Sequence, residues 1–171
     1  MRRRGLVAGG AAAVTGGLLL GGCNLRPLHG GERGAAMQAE LAAIEVTTPL
    51  DQLGQQLKTQ LADELNPRGL DEPARYELLV TLRRTRNALA IQLRDQITRY
   101  DMIIAAFYQL RRKADGRVLF RSAGRRVASF NVRRAPFATQ IAQQDAERRA
   151  AEELSRDIGL QLALFFEGQA A

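Results

Sequence analysis

The chain has 171 residues, a formal charge of +7, one histidine and one cysteine. A single cysteine excludes an internal disulfide, and without Cys or His pairs there is no metal-ligand spacing of the kind that holds zinc. Net basicity of this size ordinarily raises nucleic acid as a partner, but the first element of the chain argues against it.

That element is N-terminal. Arg2, Arg3 and Arg4 precede an apolar run from Leu6 to Leu20 that closes on Gly21-Gly22-Cys23. Charge, hydrophobic region and small residues before a cleavage point follow in the order of a secretory signal. The sole cysteine directly after two glycines reads as a bacterial lipobox. Residues 1–22 are therefore expected to be removed, and Cys23 to carry a diacylglycerol and, on its new amino group, an acyl chain. Each buried methylene contributes about 0.8 kcal/mol of membrane affinity, so several chains make the attachment effectively permanent. A transmembrane helix fits poorly, because the run is Gly-rich and shorter than the roughly 20 residues a span needs. An ordinary cleaved signal would make both the solitude and the position of Cys23 coincidences. The stretch Arg3-Arg4-Gly5-Leu6-Val7 leaves the general and twin-arginine export routes both open. Asn24 stands where an Asp would mark inner-membrane retention, so by resemblance to bacterial lipoproteins the expected address is the periplasmic face of the outer membrane. There nucleic acid is not expected. Taking Arg2, Arg3 and Arg4 from the formal +7 leaves +4 for the mature chain, whose bases are all Arg except Lys58 and Lys113. Guanidinium forks suit phosphate, so an anionic partner stays in view.

After the signal, residues 23–40 read as a lipidated tether; Pro27 holds Arg26 extended, so no helix starts there. A single domain is expected over 41–168. Leu41 to Thr47 alternates, with Ile44 and Val46 on one face, and predicts a strand. Thr48 is expected to cap a helix with Pro49 at its first position and Asp51 in its first turn. Leu50, Leu53, Leu57, Leu61 and Leu65 give that helix one apolar stripe, and Asn66-Pro67-Arg68-Gly69 ends it. Tyr76, Leu78, Val80 and Leu82 alternate in a second strand, Arg75 to about Arg86. A third runs from Leu93 or Thr98 to Arg112. Tyr100, Met102, Ile104, Ala106, Tyr108 and Leu110 lie on one side, and Ile103, Ala105 and Phe107 on the other, which places it inside the sheet. Ala114-Asp115-Gly116 is a hairpin signal. It leads to a fourth strand, Val118 to Val132, with a bulge expected at Gly124. A last helix from about Phe137 to Phe166 shows Phe137, Ile141, Ala151, Leu154, Ile158, Leu162 and Phe165 on one face. Gln143, Gln144, Glu147, Arg148, Glu152, Arg156 and Gln161 lie opposite. The expected fold is α+β: a four-stranded, mainly antiparallel sheet with two helices packed on it, in the order strand-helix-strand-strand-strand-helix.

Catalysis finds no constellation. His29 lies in the tether, where nothing would hold it for acid or base work. An acylated Cys23 is no nucleophile, and Ser122, Ser129 and Ser155 have no histidine to activate them. Asp71-Glu72 and Glu152-Glu153 read as solvated faces, and no glycine loop for phosphate follows the signal. No metal or cofactor is expected beyond the lipid on Cys23. The pattern is that of a binding or assembly module, not an enzyme.

The opening Asn24-Leu25-Arg26-Pro27-Leu28-His29-Gly30 after the lipobox, the Tyr100-Asp101-Met102 entry to the third strand and the order of elements together resemble the lipopolysaccharide-assembly lipoprotein family LptE in its alphaproteobacterial form. The likeness extends over nearly all the mature chain. It implies a plug within the lumen of the outer-membrane barrel LptD that assists barrel assembly and binds lipopolysaccharide on its way to the surface. Arg94 resembles a basic family position just before the third strand and is expected to meet lipid phosphate, with Arg99, Arg111, Arg112 and Arg117 as further candidates. Gln140 stands where some members carry a base, a departure from the family pattern. The alternative is an accessory lipoprotein of another envelope transport system.

Overall fold

The computed structural model describes residues 31–91, 97–132 and 135–169. Cys23, the signal, the opening motif with His29, and Arg94 lie outside them. The elements are α1 (Gly31–Ala42), β1 (Ile44–Thr47), α2 (Gln52–Leu65), β2 (Tyr76–Ile91), β3 (Ile97–Arg112), β4 (Val118–Asn131) and α3 (Pro136–Gln169). The α+β class is observed, with two corrections: there are three helices, and the sheet is mixed.

The sheet order is β1-β2-β3-β4. β2, β3 and β4 form an antiparallel meander, but β1 runs parallel to β2, pairing Ile44 with Tyr76 through Thr47 with Leu79. The intervening helix explains this, since parallel neighbours require a crossover and α2 supplies it. The hairpin between β3 and β4 forms at Asp115-Gly116 as expected: Gly116 has φ 67°, and the Arg117 N–H donates to Asp115 Oδ1 at 3.1 Å. The expected bulge at Gly124 is absent. Gly124 pairs in register with Ala106, and the irregularity lies between Leu110 and Arg111, where Phe120 and Val118 are the successive partners and Leu119 is the extra residue. Gly124 serves packing instead: a Cβ there would sit 3.2 Å from both Asp157 Oδ2 and Leu154 Cδ2 of α3.

Among the described residues, the largest fully buried side chains come from α2, from α3 and from one side of the strands. Leu53, Leu57, Leu61 and Leu65 of α2 are buried as their spacing predicts, each fully buried leucine contributing about 1.5–3 kcal/mol. The start of α2 differs from expectation. Asp51 is the N-cap, accepting from the Gly54 N–H at 2.8 Å, so the chain turns one residue after Leu50 and leaves it 93% exposed. Thr48 still contributes, its hydroxyl donating to the Gly54 carbonyl at 2.9 Å. On α3, Ala151, Leu154, Ile158 and Leu162 are buried as expected, whereas Phe137 and Ile141 are exposed and Glu147, placed by the pattern on the polar side, is buried. Small residues bring α3 close to its neighbours; a Cβ on Gly159 would lie 2.7 Å from Glu64 Cγ of α2. The far end of α3 is held by aromatic contacts, Phe166 on Tyr76 at 5.3 Å and Phe165 on Phe120 at 5.1 Å.

The additional helix, α1, occupies residues assigned to the tether and to the start of the first strand. Its buried side is Gly34, Gln38 and Leu41, helical in spacing but not apolar. Gln38 is tolerated there because its Nε2 donates to the carbonyl of Leu65 at 3.1 Å, one of the last carbonyls of α2, which the helix itself cannot satisfy.

Candidate functional site

Strand alternation decides which charged side chains are covered. On β2 the side of Leu78, Val80 and Leu82 continues to Arg84 and Arg86, and on β4 the side of Phe120 and Gly124 continues to Arg126. These three arginines turn toward the helices, and each is engaged. Arg84 reaches Asp51 Oδ2 at 2.8 Å and Glu147 Oε2 at 3.7 Å, so the carboxylate that caps α2 with one oxygen binds the sheet with the other. Glu147, its side chain only 10% exposed, also accepts from Gln143 Nε2 at 3.0 Å. Arg86 lies over the Tyr100 ring at 4.8 Å, and Arg126 meets Asp157 at 3.3 Å and Glu153 at 3.7 Å. Between the start of α2 and the first turns of α3 this leaves a groove of about 370 Å³, lined by Arg84, Glu147 and the amides of Gln52, Gln140, Gln143 and Gln144. Its base is already neutralised by two carboxylates.

Among the described residues, no helix lies on the other side of the sheet. There Leu79, Gln109 and Arg121 form one cross-strand row, followed by Thr81, Phe107 and Ala123, then Arg83, Ala105 and Arg125, then Thr85, Ile103 and Val127. None of these is buried; Phe107 is 49% and Val127 50% exposed. Among the described residues, Arg83, Arg121 and Arg125 have no ion pair.

The arginines singled out from the sequence divide between the two ends of this sheet. Arg99 lies near the start of β3, opposite Ala90 and Asn131, while Arg111, Arg112 and Arg117 flank the hairpin. Thirteen residues of strand, about 43 Å, separate Arg99 from Arg112. Arg111 is 4.0 Å from Glu77 and Arg112 is 3.1 Å from Asp115. Asp115 is held below the usual carboxylate range, first by the backbone N–H of Arg117. Nearby, the Lys113 ammonium hydrogen-bonded at 2.7 Å lowers Glu45 likewise. Arg99 and Arg117 are exposed and hold no ion pair among the described residues. The sequence reading missed Arg83, Arg84, Arg86, Arg121, Arg125 and Arg126. The signal was available for three of them: a base that keeps the parity of core residues must meet an acid or an aromatic face.

Among the described residues no group of His, Cys, Asp or Glu is placed to hold a metal ion, and no helix is long and apolar enough to cross a membrane.

Comparison with known proteins bears on this architecture. A crystal structure of a lipoprotein from Caulobacter crescentus matches with TM-score 0.66 and 26% identity, covering 78% of this chain and 97% of that one. Rare lipoprotein B from Shewanella oneidensis shares the fold at TM-score 0.54 and 13% identity, over 74% of this chain and 96% of that one. A lipoprotein B from Nitrosomonas europaea aligns at TM-score 0.50 and 12% identity, over 73% and 86%. Comparison with curated proteins finds no match. The family model LptE, lipopolysaccharide-assembly, matches residues 38–162, from the buried face of α1 to the last buried turns of α3, and the chain belongs to that family.

Proposed function

We propose that the protein is an outer-membrane lipoprotein, anchored through acyl chains on Cys23, that plugs and helps assemble the barrel LptD and binds lipopolysaccharide during delivery to the cell surface. Family membership supports the lipopolysaccharide role. The observation that supports the rest is the one-sided build: a helix layer on one face of the sheet and an arginine-bearing opposite face that none of the described residues cover. A domain of this size with amides and guanidiniums on its surface can satisfy the polar lumen of a barrel. No constellation for catalysis is part of the reading. Among the strand-end bases, Arg99 and Arg117 are the ones free to take lipid phosphate, Arg111 and Arg112 being engaged with acids, and Arg94 stands with them as a proposal from the family likeness.

Affinity purification of the full-length lipoprotein from detergent-solubilised outer membrane, followed by mass spectrometry, tests the partner. A large β-barrel recovered at near-equal amount is expected; recovery with an inner-membrane transporter, or with nothing, overturns the assignment. Cys23→Ser is expected to move the protein from the membrane to the soluble periplasmic fraction.

A further inference from the structure

On the covered face the arginines are matched by acids or, at Arg86, by an aromatic ring; in the middle of the open face they have no ion pair among the described residues. The acids that do share the open face sit at its two margins. Asp101 accepts from the Ser129 hydroxyl at 2.5 Å beyond one end, and Glu77 lies beside Arg111 beyond the other. Between them, four cross-strand rows contain no acid at all. They contain Phe107, Ile103 and Val127, with Arg83 and Arg125 on either side of Ala105 and Arg121 one row past Phe107. Unpaired bases around an exposed apolar centre are complementary to one kind of molecule, an anionic amphiphile.

We propose that this open sheet face is a binding site for a phosphorylated, acyl-bearing glycolipid, with an acyl chain laid across Phe107, Ile103 and Val127 and phosphates on Arg83, Arg121 and Arg125. The site is distinct from the strand-end bases, and the proposal rests on the reading that lipopolysaccharide is the ligand. The dimensions fit a lipid. Ile103 to Phe107 spans about 13 Å along the strand, and β2 to β4 about 10 Å across it. That suits one or two extended chains, whereas a stable protein interface needs about 800 Å² from each partner. Arg83 and Arg125 stand two strand spacings apart, so each can fork onto a separate phosphate oxygen pair. A second copy of the chain is a poor occupant, because two such faces would set six unpaired guanidiniums against one another.

The test compares full-length protein with two variants, Phe107→Glu and the triple Arg83→Gln/Arg121→Gln/Arg125→Gln, using labelled lipopolysaccharide as the probe and barrel co-purification as a parallel readout. Arg156→Gln, exposed on α3 on the other side of the sheet, is the control. Both face variants are expected to bind lipopolysaccharide at least about tenfold more weakly, since a single charge-assisted hydrogen bond is worth close to that factor, while still co-purifying with the barrel. The control is expected to stay within about twofold, as an exposed charge outside the site. The triple variant touches no buried residue and so keeps the test valid if Phe107→Glu does not fold. Unchanged binding by the triple variant, with wild type binding, overturns the proposal and leaves the lipopolysaccharide reading intact. No binding by wild type overturns both. Loss of the barrel with lipid binding retained assigns the face to the barrel wall and overturns the proposal.

Discussion

Two Arg-Arg dipeptides divide in the same way. In Arg83-Arg84 and Arg125-Arg126, the second arginine turns toward the helices and finds carboxylates, while the first lies on the open face with no ion pair among the described residues. Ile103 and Ile104 repeat the division in apolar form: Ile104 is completely buried and Ile103 lies in the uncovered row with Val127. One residue along a strand reverses the environment, because the pleat sends neighbours to opposite sides and only one side is packed. The covered face carries the stability of the fold. The open face is left to meet something else, and substitutions at adjacent positions separate the two.

The largest contrast is expected at the isoleucines. Ile104→Ala should cost about 2–5 kcal/mol in chemical denaturation, against under about 1 kcal/mol for Ile103→Ala. Equal losses at the two positions would mean that the open face is not open. Gly54→Ala comes next: a Cβ there would lie 2.0 Å from the Pro49 carbonyl oxygen, which belongs to the backbone and cannot swing away. A loss of about 2–3 kcal/mol and fraying at the start of α2 are expected, read by thermal melting and hydrogen exchange. At the arginines the difference is smaller. Arg84→Gln leaves Glu147 with only Gln143 and should cost about 1–2 kcal/mol, moderated because Arg84 is itself 44% exposed. Arg83→Gln should fall within about 0.5 kcal/mol of wild type.

The smallest expected effect is an alkaline pH dependence that comes from tyrosines on the covered face. Burial, the main cause, raises the Tyr108 hydroxyl above its ordinary value, with the Ser122 hydroxyl acting in the opposite sense. Tyr76 is raised too, by burial and by the Glu40 carboxylate. A raised folded value means that the unfolded chain loses its proton first. The stability contribution is therefore complete below about pH 10, where unfolded tyrosine ionises, and is lost as pH rises from there through the folded value. Tyr108→Phe should flatten the alkaline limb of a stability–pH curve without altering the neutral region.

Much of this was legible beforehand, for identifiable reasons. The leucine stripe of α2 from Leu53 onward, the alternation of β3 and the Asp115-Gly116 turn are strong local signals, and each appears where its pattern placed it. The helix α1 was illegible because its buried side is Gly34, Gln38 and Leu41, and a buried glutamine reads as core only when its acceptor, the Leu65 carbonyl 27 residues away, is known. Glu147 misled for the same reason, since its charged partner Arg84 comes from β2. The parallel pairing of β1 follows from the helix between it and β2 and could have been read. Of the candidate bases, sequence pointed to strand ends because charge collects there. It passed over Arg83, Arg121 and Arg125, whose interest depends on a fact no strand pattern contains, that the three described helices pack on one side.

The most direct test of this division is site-specific photo-cross-linking of the full-length lipoprotein in intact outer membrane, with the probe at Phe107 on the open face or at Leu160, 51% exposed on α3. The account predicts that the probe at 107 captures lipopolysaccharide and the probe at 160 does not. Capture of lipopolysaccharide at 160, with only protein or nothing at 107, would contradict it.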